Sequence, residues 1–109
     1  MIIEMYKTEA QRRVVEQYIN ANLGGIVNAA IHNKSELLRL KDSDEVVVAN
    51  AKCLARNITS LIHTLSWLSH HGVRVYFAEE NVCLKSCFRT SEILGVLERV
   101  SSSFRSLHQ

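Results

Sequence analysis

The chain has 109 residues, 47% hydrophobic and 22% charged, with a formal charge of +2 at neutral pH. That length carries one hydrophobic core and not two, and the composition excludes a disordered chain. The small charge argues against strong autonomous nucleic-acid binding, and no apolar run nears the roughly 20 residues of a membrane helix. The acidic start Met1-Ile2-Ile3-Glu4 lacks the basic region of a signal peptide. Cys53, Cys83 and Cys87 are three cysteines at no disulfide-scaffold spacing and read as reduced thiols, so a cytoplasmic setting is expected.

Ile2, Ile3, Met5 and Tyr6 read as a first buried strand. Thr8 stands where an N-cap belongs, and Gln11 three residues later has the spacing of a capping box. The helix that follows carries Ala10, Val14, Val15, Tyr18, Ile19 and Leu23 on one face, and Gly24-Gly25 closes it. Ile26 to Ile31 is the second strand, although alanine and asparagine weaken it. Ser35 to Lys41 is a short helix contributing Leu37, Leu38 and Leu40, and Asp42-Ser43-Asp44 turns the chain.

The organising stretch comes next. Val46-Val47-Val48 is a strand, a helix opens at Asn57 with Leu61, Ile62, Leu65 and Leu68 at helical spacing, and Gly72 ends it. A further strand runs from Val73 to Ala78. Strand, helix and strand in that order form a βαβ unit. The loop around Arg56 then lies at the carboxyl end of the strands, where open α/β sheets place their sites. Val82 to Cys87 is a poorly patterned connector. From about Thr90 a last helix spaces Ile93, Leu97, Val100, Phe104 and Leu107 at intervals of 4, 3, 4 and 3, a seam for packing along another helix, with a second subunit favoured over docking on its own domain. The expected fold is a single three-layer, flavodoxin-like α/β domain over residues 1–109, with a mostly parallel sheet of about four strands.

This order of elements resembles the N-terminal catalytic domain of the serine recombinases, the resolvase and invertase family. Thr8-Glu9-Ala10-Gln11 looks like the Ser-Thr-x-x-Gln run that opens that family's first helix. Leu37-Leu38-Arg39-Leu40-Lys41, then Asp44 and Val46-Val47-Val48, is similar to its helix-to-strand passage. Leu54 and Arg56 fall in the slot of its Asp-Arg-Leu-Gly-Arg motif, and the spacing continues through Leu61, Leu65, Leu68, Gly72-Val73, Phe77 and Glu80.

The resemblance implies a DNA-cleaving scaffold from which the chemistry has gone. A serine there attacks a phosphodiester, and several arginines stabilise the charge that grows on the phosphoryl oxygens. Here the serine falls on Lys7 and an arginine on Met5, while Lys52, Cys53 and Ala55 replace the aspartate, first arginine and glycine of the central motif. Arg56 is the arginine that remains, and Arg105 replaces a glutamate of the last helix. No catalytic residue, cofactor or metal is therefore expected. The chain also stops before the helix-turn-helix domain that reads base edges in the family.

Lys7, Lys52 and Arg56 are expected to converge at the strand ends as an anion-binding pocket, with solvated side chains as the plainer reading. Thr8 is the fallback nucleophile, better explained as a cap. Cys83 and Cys87 with His70-His71 form no matched set of metal-ligand pairs. Trp67 is a candidate partner surface.

The expected function is a non-enzymatic oligomerisation or regulatory module in a DNA-recombination or mobile-element setting, bacterial, plasmid-borne or phage-borne. It would act as a homodimer, or as a heteromer with a recombinase or another DNA-bound protein, with weak or indirect DNA binding and no membrane. The alternative is an active site-specific recombinase using Thr8 as a non-standard nucleophile. A third reading, an anion- or nucleotide-binding flavodoxin-like domain, lacks a glycine-rich phosphate loop. The seam makes a direct prediction. Replacing Leu97 and Phe104 by aspartate leaves a folded monomer by circular dichroism and light scattering, whereas general unfolding would assign the seam to the domain's own core.

Overall fold

The computed structural model describes residues 1–84, together with Gly95 and Glu98. Its elements in chain order are β1 (Ile2–Met5), α1 (Glu9–Asn22), β2 (Ala29–Ile31), α2 (Lys34–Leu37), β3 (Glu45–Val48), a 3-10 turn (Ala51–Cys53), α3 (Ile58–His70), β4 (Arg74–Phe77) and β5 (Val82–Leu84). They build one five-stranded sheet in the order β2-β1-β3-β4-β5. β2, β1, β3 and β4 are mutually parallel, and β5 returns antiparallel to β4.

Strand alternation splits the buried residues into two layers. Ile3, Val46, Val75 and Leu84 form one cross-strand row, and Met5, Val48, Phe77 and Val82 the next. Both rows face Leu37 and Leu40 from the α2 region and Leu61, Leu65 and Leu68 of α3. The intervening row holds Val47 and Tyr76 and meets Val15 and Ile19 of α1 on the other face. Helices therefore cover both sides of the sheet, in a three-layer α/β arrangement compatible with a flavodoxin-like layout. Coverage on both faces also explains the unbroken run Val46-Val47-Val48, each residue of which is fully buried. At the amino end of β3 and β4, the Tyr76 hydroxyl donates to Glu45 Oε1 at 2.8 Å and Arg74 donates to the same oxygen at 3.1 Å. Burial pushes the Tyr76 phenol up to about 12.

Several boundaries differ from the sequence expectation. The sheet has five strands rather than four because Val82–Leu84, expected as a connector, forms β5. Asn81, at φ 53°, reverses the chain and brings Leu84 beside Val75. The second strand begins only at Ala29, leaving Ile26 69% exposed. Asn28 sets that start by donating its N–H to the Ile2 carbonyl at 2.8 Å and accepting the Ile2 N–H on Oδ1 at 2.7 Å. α2 is one turn from Lys34 to Leu37, capped by Asn33, whose Oδ1 accepts the Glu36 N–H at 2.9 Å. Ala10, expected on the buried face of α1, is exposed.

Gly95 and Glu98 are helical and exposed. The seam residues Ile93, Leu97, Val100, Phe104 and Leu107 lie outside the described residues. Among the described residues, no helix is long and apolar enough to cross a membrane.

Gly72 ends α3 with φ +70°, and an added Cβ would run into the Asp42 carboxylate. Gly72→Ala therefore lowers unfolding free energy by about 2 kcal/mol, combining left-handed strain with the clash. Adding Asp42→Ala recovers the part due to the clash. Urea titrations of the single and double variants measure both contributions.

Candidate anion-binding site

The chain leaves β1 toward β2 on one side of the sheet and later returns to β3 on the other. β1 and β3 therefore flank a topological switch point, the place where an open α/β sheet leaves a crevice at its strand ends. The register sets Met5 beside Val48, the last residues of the two strands. Beyond them opens a cavity of about 250 Å³. Lys7 lines it from the segment after β1, and Lys34 lines it from the start of α2. Lys52, Cys53, Leu54, Ala55 and Arg56 come from the connection between β3 and α3, Ser60 from the first turn of α3, and Met5 from the end of β1.

Four cationic side chains thus share one recess, and no carboxylate or imidazole lines it among the described residues. Like charges around a small opening raise the local positive potential and favour an anion. The amino end of α3 adds to the same field. Asn57 caps that helix, its Oδ1 accepting the Ser60 N–H at 2.8 Å. Lys7, Lys34, Lys52 and Arg56 are all exposed, so a ligand can reach them from solvent.

The wall behind the cavity is fastened from the acidic segment after β4. Ala78 and Glu79 donate their N–H groups to the carbonyls of Val48 and Ala49 at 2.9 and 2.8 Å. The Asn50 amide donates to Glu79 Oε2 at 2.7 Å, and the Cys53 thiol donates to Asn50 Oδ1 at 3.5 Å. Burial pushes the Cys53 thiol up, and nearby Glu79 and Glu80 add to the effect. The thiol therefore stays protonated at neutral pH and is a poor nucleophile. Burial likewise raises Glu80 more than the backbone amides of Glu80 and Ala51 lower it.

Lys7, Lys52 and Arg56, singled out from the sequence, line this one cavity. Met5 contributes an apolar wall and is 2% exposed. Thr8 is not among the lining residues. Its Oγ1 accepts the Gln11 N–H at 3.2 Å, while Gln11 Oε1 accepts from Lys7 N at 2.8 Å rather than from the cap residue itself. Gln11 thereby holds the backbone of Lys7 at the cavity mouth. Cys83 is exposed on β5, whereas Cys87 and Arg105 lie outside the described residues. Among the described residues, no three His, Cys, Asp or Glu side chains are grouped to hold a metal ion. His70 ends α3, and the ring of His71 donates to the Trp67 carbonyl at 2.8 Å.

Sequence reading missed Lys34 and Ser60, because neither stands in a motif and only the approach of α2 to α3 unites them. It also missed Glu4, which is 5% exposed in the middle of β1. A carboxylate inside an apolar strand was the available signal. No protein-family profile and no curated protein sequence matches the chain.

Burial raises the Glu4 carboxyl above its ordinary range, and Glu16 raises it further by repulsion and a hydrogen bond, while Arg12 and His32 oppose the shift. The folded state therefore holds this proton at pH values where the unfolded chain has released it. The associated stability is present below the unfolded carboxyl range, near pH 4.3, and is lost as pH rises through the raised folded value. Glu4→Gln removes that loss and gains about 1 kcal/mol over the native chain at pH 7.5, with little gain at pH 4. Denaturant midpoints at the two pH values check it.

Proposed function

We propose that this chain is a resolvase-like domain that binds phosphate groups without cutting them. It serves as an assembly or regulatory module in a DNA-recombination or mobile-element setting, pairing with itself, with an intact recombinase or with another DNA-bound protein. The observation that carries the reading is the cavity at the β1/β3 switch point, with Lys7, Lys34, Lys52 and Arg56 around it and no carboxylate or imidazole in its lining among the described residues. The motif order described above supports the family assignment, and the three-layer sheet is compatible with it.

The chemistry of the lining favours holding over cleaving. A phosphodiester transfer needs a hydroxyl or thiolate nucleophile, a group to take its proton, and preorganised positive charge. Positive charge is supplied. Lys7 stands where the family has its serine, Cys53 is held protonated, and Ser60 has no carboxylate or imidazole beside it in the cavity lining. Thr8 commits its hydroxyl oxygen to capping α1. Loss of even one preorganised charge-stabilising group costs roughly 10²–10³ in rate, so loss of nucleophile and arginines together silences the reaction.

Titration calorimetry with inorganic phosphate tests the binding, and denaturing gels after incubation with supercoiled DNA test the chemistry. Phosphate binds the native chain and binds at least tenfold more weakly to Lys7→Ala/Arg56→Ala, and no covalent protein–DNA adduct forms. Native-like circular dichroism of the double variant excludes misfolding as the cause. Absence of phosphate binding overturns the cavity reading. An adduct abolished by Thr8→Ala replaces the proposal with the active-recombinase alternative. Absolute mass in solution, alone and with duplex DNA, tests the assembly role.

A further inference from the structure

We infer that the cation-lined cavity is the head of a longer groove that binds a nucleotide, its phosphate among Lys7, Lys34, Lys52 and Arg56 and its base against Trp67. The inference rests on the reading of the cavity as an anion site and adds the rest of the ligand.

Ser60, Thr64 and Trp67 recur along one stripe of α3, with His63 beside them. Ser60 walls the cavity. His63, Thr64 and Trp67 wall a second recess of about 170 Å³, closed on the other side by Leu38 and Lys34. Lys34 belongs to both walls, so the two recesses adjoin between α2 and α3. Their characters differ. The first is ringed by cations, while the second is mainly apolar, since Thr64 commits its hydroxyl to the Ser60 carbonyl at 2.9 Å. Ser60 and Trp67 stand seven residues apart, roughly 10 Å along the helix axis. A ligand that fills both recesses has an anionic group at one end and a flat, weakly polar ring at the other.

Trp67 is also held ready. It is 44% exposed, yet its indole N–H donates to the Leu38 carbonyl at 3.3 Å and its ring stacks on His71 at 4.3 Å and 22°. A fixed, exposed aromatic plane next to a cationic groove is the combination on which nucleic-acid strands bind, because each base stacks while its phosphate is neutralised. An apolar protein segment would use the Trp67 patch and leave the cationic recess unused. A bare anion would use the cations and ignore Trp67.

Trp67 is the chain's single tryptophan, so intrinsic fluorescence reports on it alone. The full chain is titrated with inorganic phosphate, a nucleoside, the corresponding nucleoside 5′-monophosphate and a short single-stranded oligonucleotide. Inorganic phosphate binds without quenching. The monophosphate quenches Trp67 and binds about tenfold or more tightly than inorganic phosphate or the nucleoside. By calorimetry, Trp67→Leu loses that advantage yet binds phosphate as before, and Trp67→Phe keeps most of it. If Trp67→Leu does not fold, Leu38→Glu, which puts a carboxylate into the second recess, causes the same selective loss. An oligonucleotide affinity above that of the monophosphate identifies a nucleic-acid strand as the source, and equal affinities identify a free nucleotide. If phosphate binds while the monophosphate gains nothing and leaves fluorescence unchanged, the groove inference falls and the cavity reading stands. If neither binds, both fall.

Discussion

Four residues of β1 lie in register against four of β3, and the arrangement of the rest depends on that pairing. The two strands are separated in sequence by α1, β2 and α2, so their contact closes the largest loop in the sheet. What offsets that entropy is burial on both faces at once. Ile3 and Met5 join Val46 and Val48 beneath α3, and Val47 is covered by α1 on the opposite side. A one-residue slip would move Glu4 into the larger core and drive Ile3 and Met5 into the smaller one. The same register puts Met5 level with Val48, so the segments after both strands start from one line and diverge around a single opening.

The central βαβ unit was legible because its signals are strong and local. Three consecutive valines in a strand buried on both faces, a helix with leucines at helical spacing, and a glycine that must take φ +70° can hardly be arranged otherwise. β5 was not legible. Three residues are too few to display alternation, and Val82–Leu84 forms a strand because Asn81 turns it onto β4, which depends on tertiary contact more than on local preference. Ile26 and Val27 misled in the other direction. Their strand-forming character counts for little outside the pairing that Asn28 makes with Ile2, and both are exposed. Arg56, Lys52 and Lys7 could be placed at strand ends from topology alone. Lys34 could not, since it reaches the cavity from α2, whose position against α3 is a matter of packing.

Charge illustrates the same division between sum and distribution. A net charge of +2 describes a nearly balanced chain, and on that basis little affinity for polyanions was expected. Yet four of the 13 lysines and arginines stand around one recess, while Glu79 and Glu80 sit behind its wall. The acidic pair serves the recess mechanically. Glu79 receives Asn50, its backbone bonds to Ala49, and the loop that carries Lys52 and Arg56 is thereby held against the end of β4. Potential at a concave site depends on what lies within about a Debye length, roughly 10 Å at 0.1 M salt, so a balanced total is no obstacle to a locally positive cavity.

That arrangement has a consequence for stability. Four like charges brought toward one opening repel each other in the folded state more than in the unfolded chain, where they are far apart. Because their heads are exposed, water and salt screen most of the repulsion, and the cost is modest. No carboxylate lines the cavity among the described residues. On the proposed reading the ligand brings negative charge to the cluster. An anion that binds only the folded state offsets the repulsion and adds RT ln(1 + [L]/Kd) to stability. If the proposed resolvase-like reading holds, Lys7 adds a positive charge at the position of that family's reacting hydroxyl, and the cavity is then better suited to holding a phosphate ester than to cleaving one.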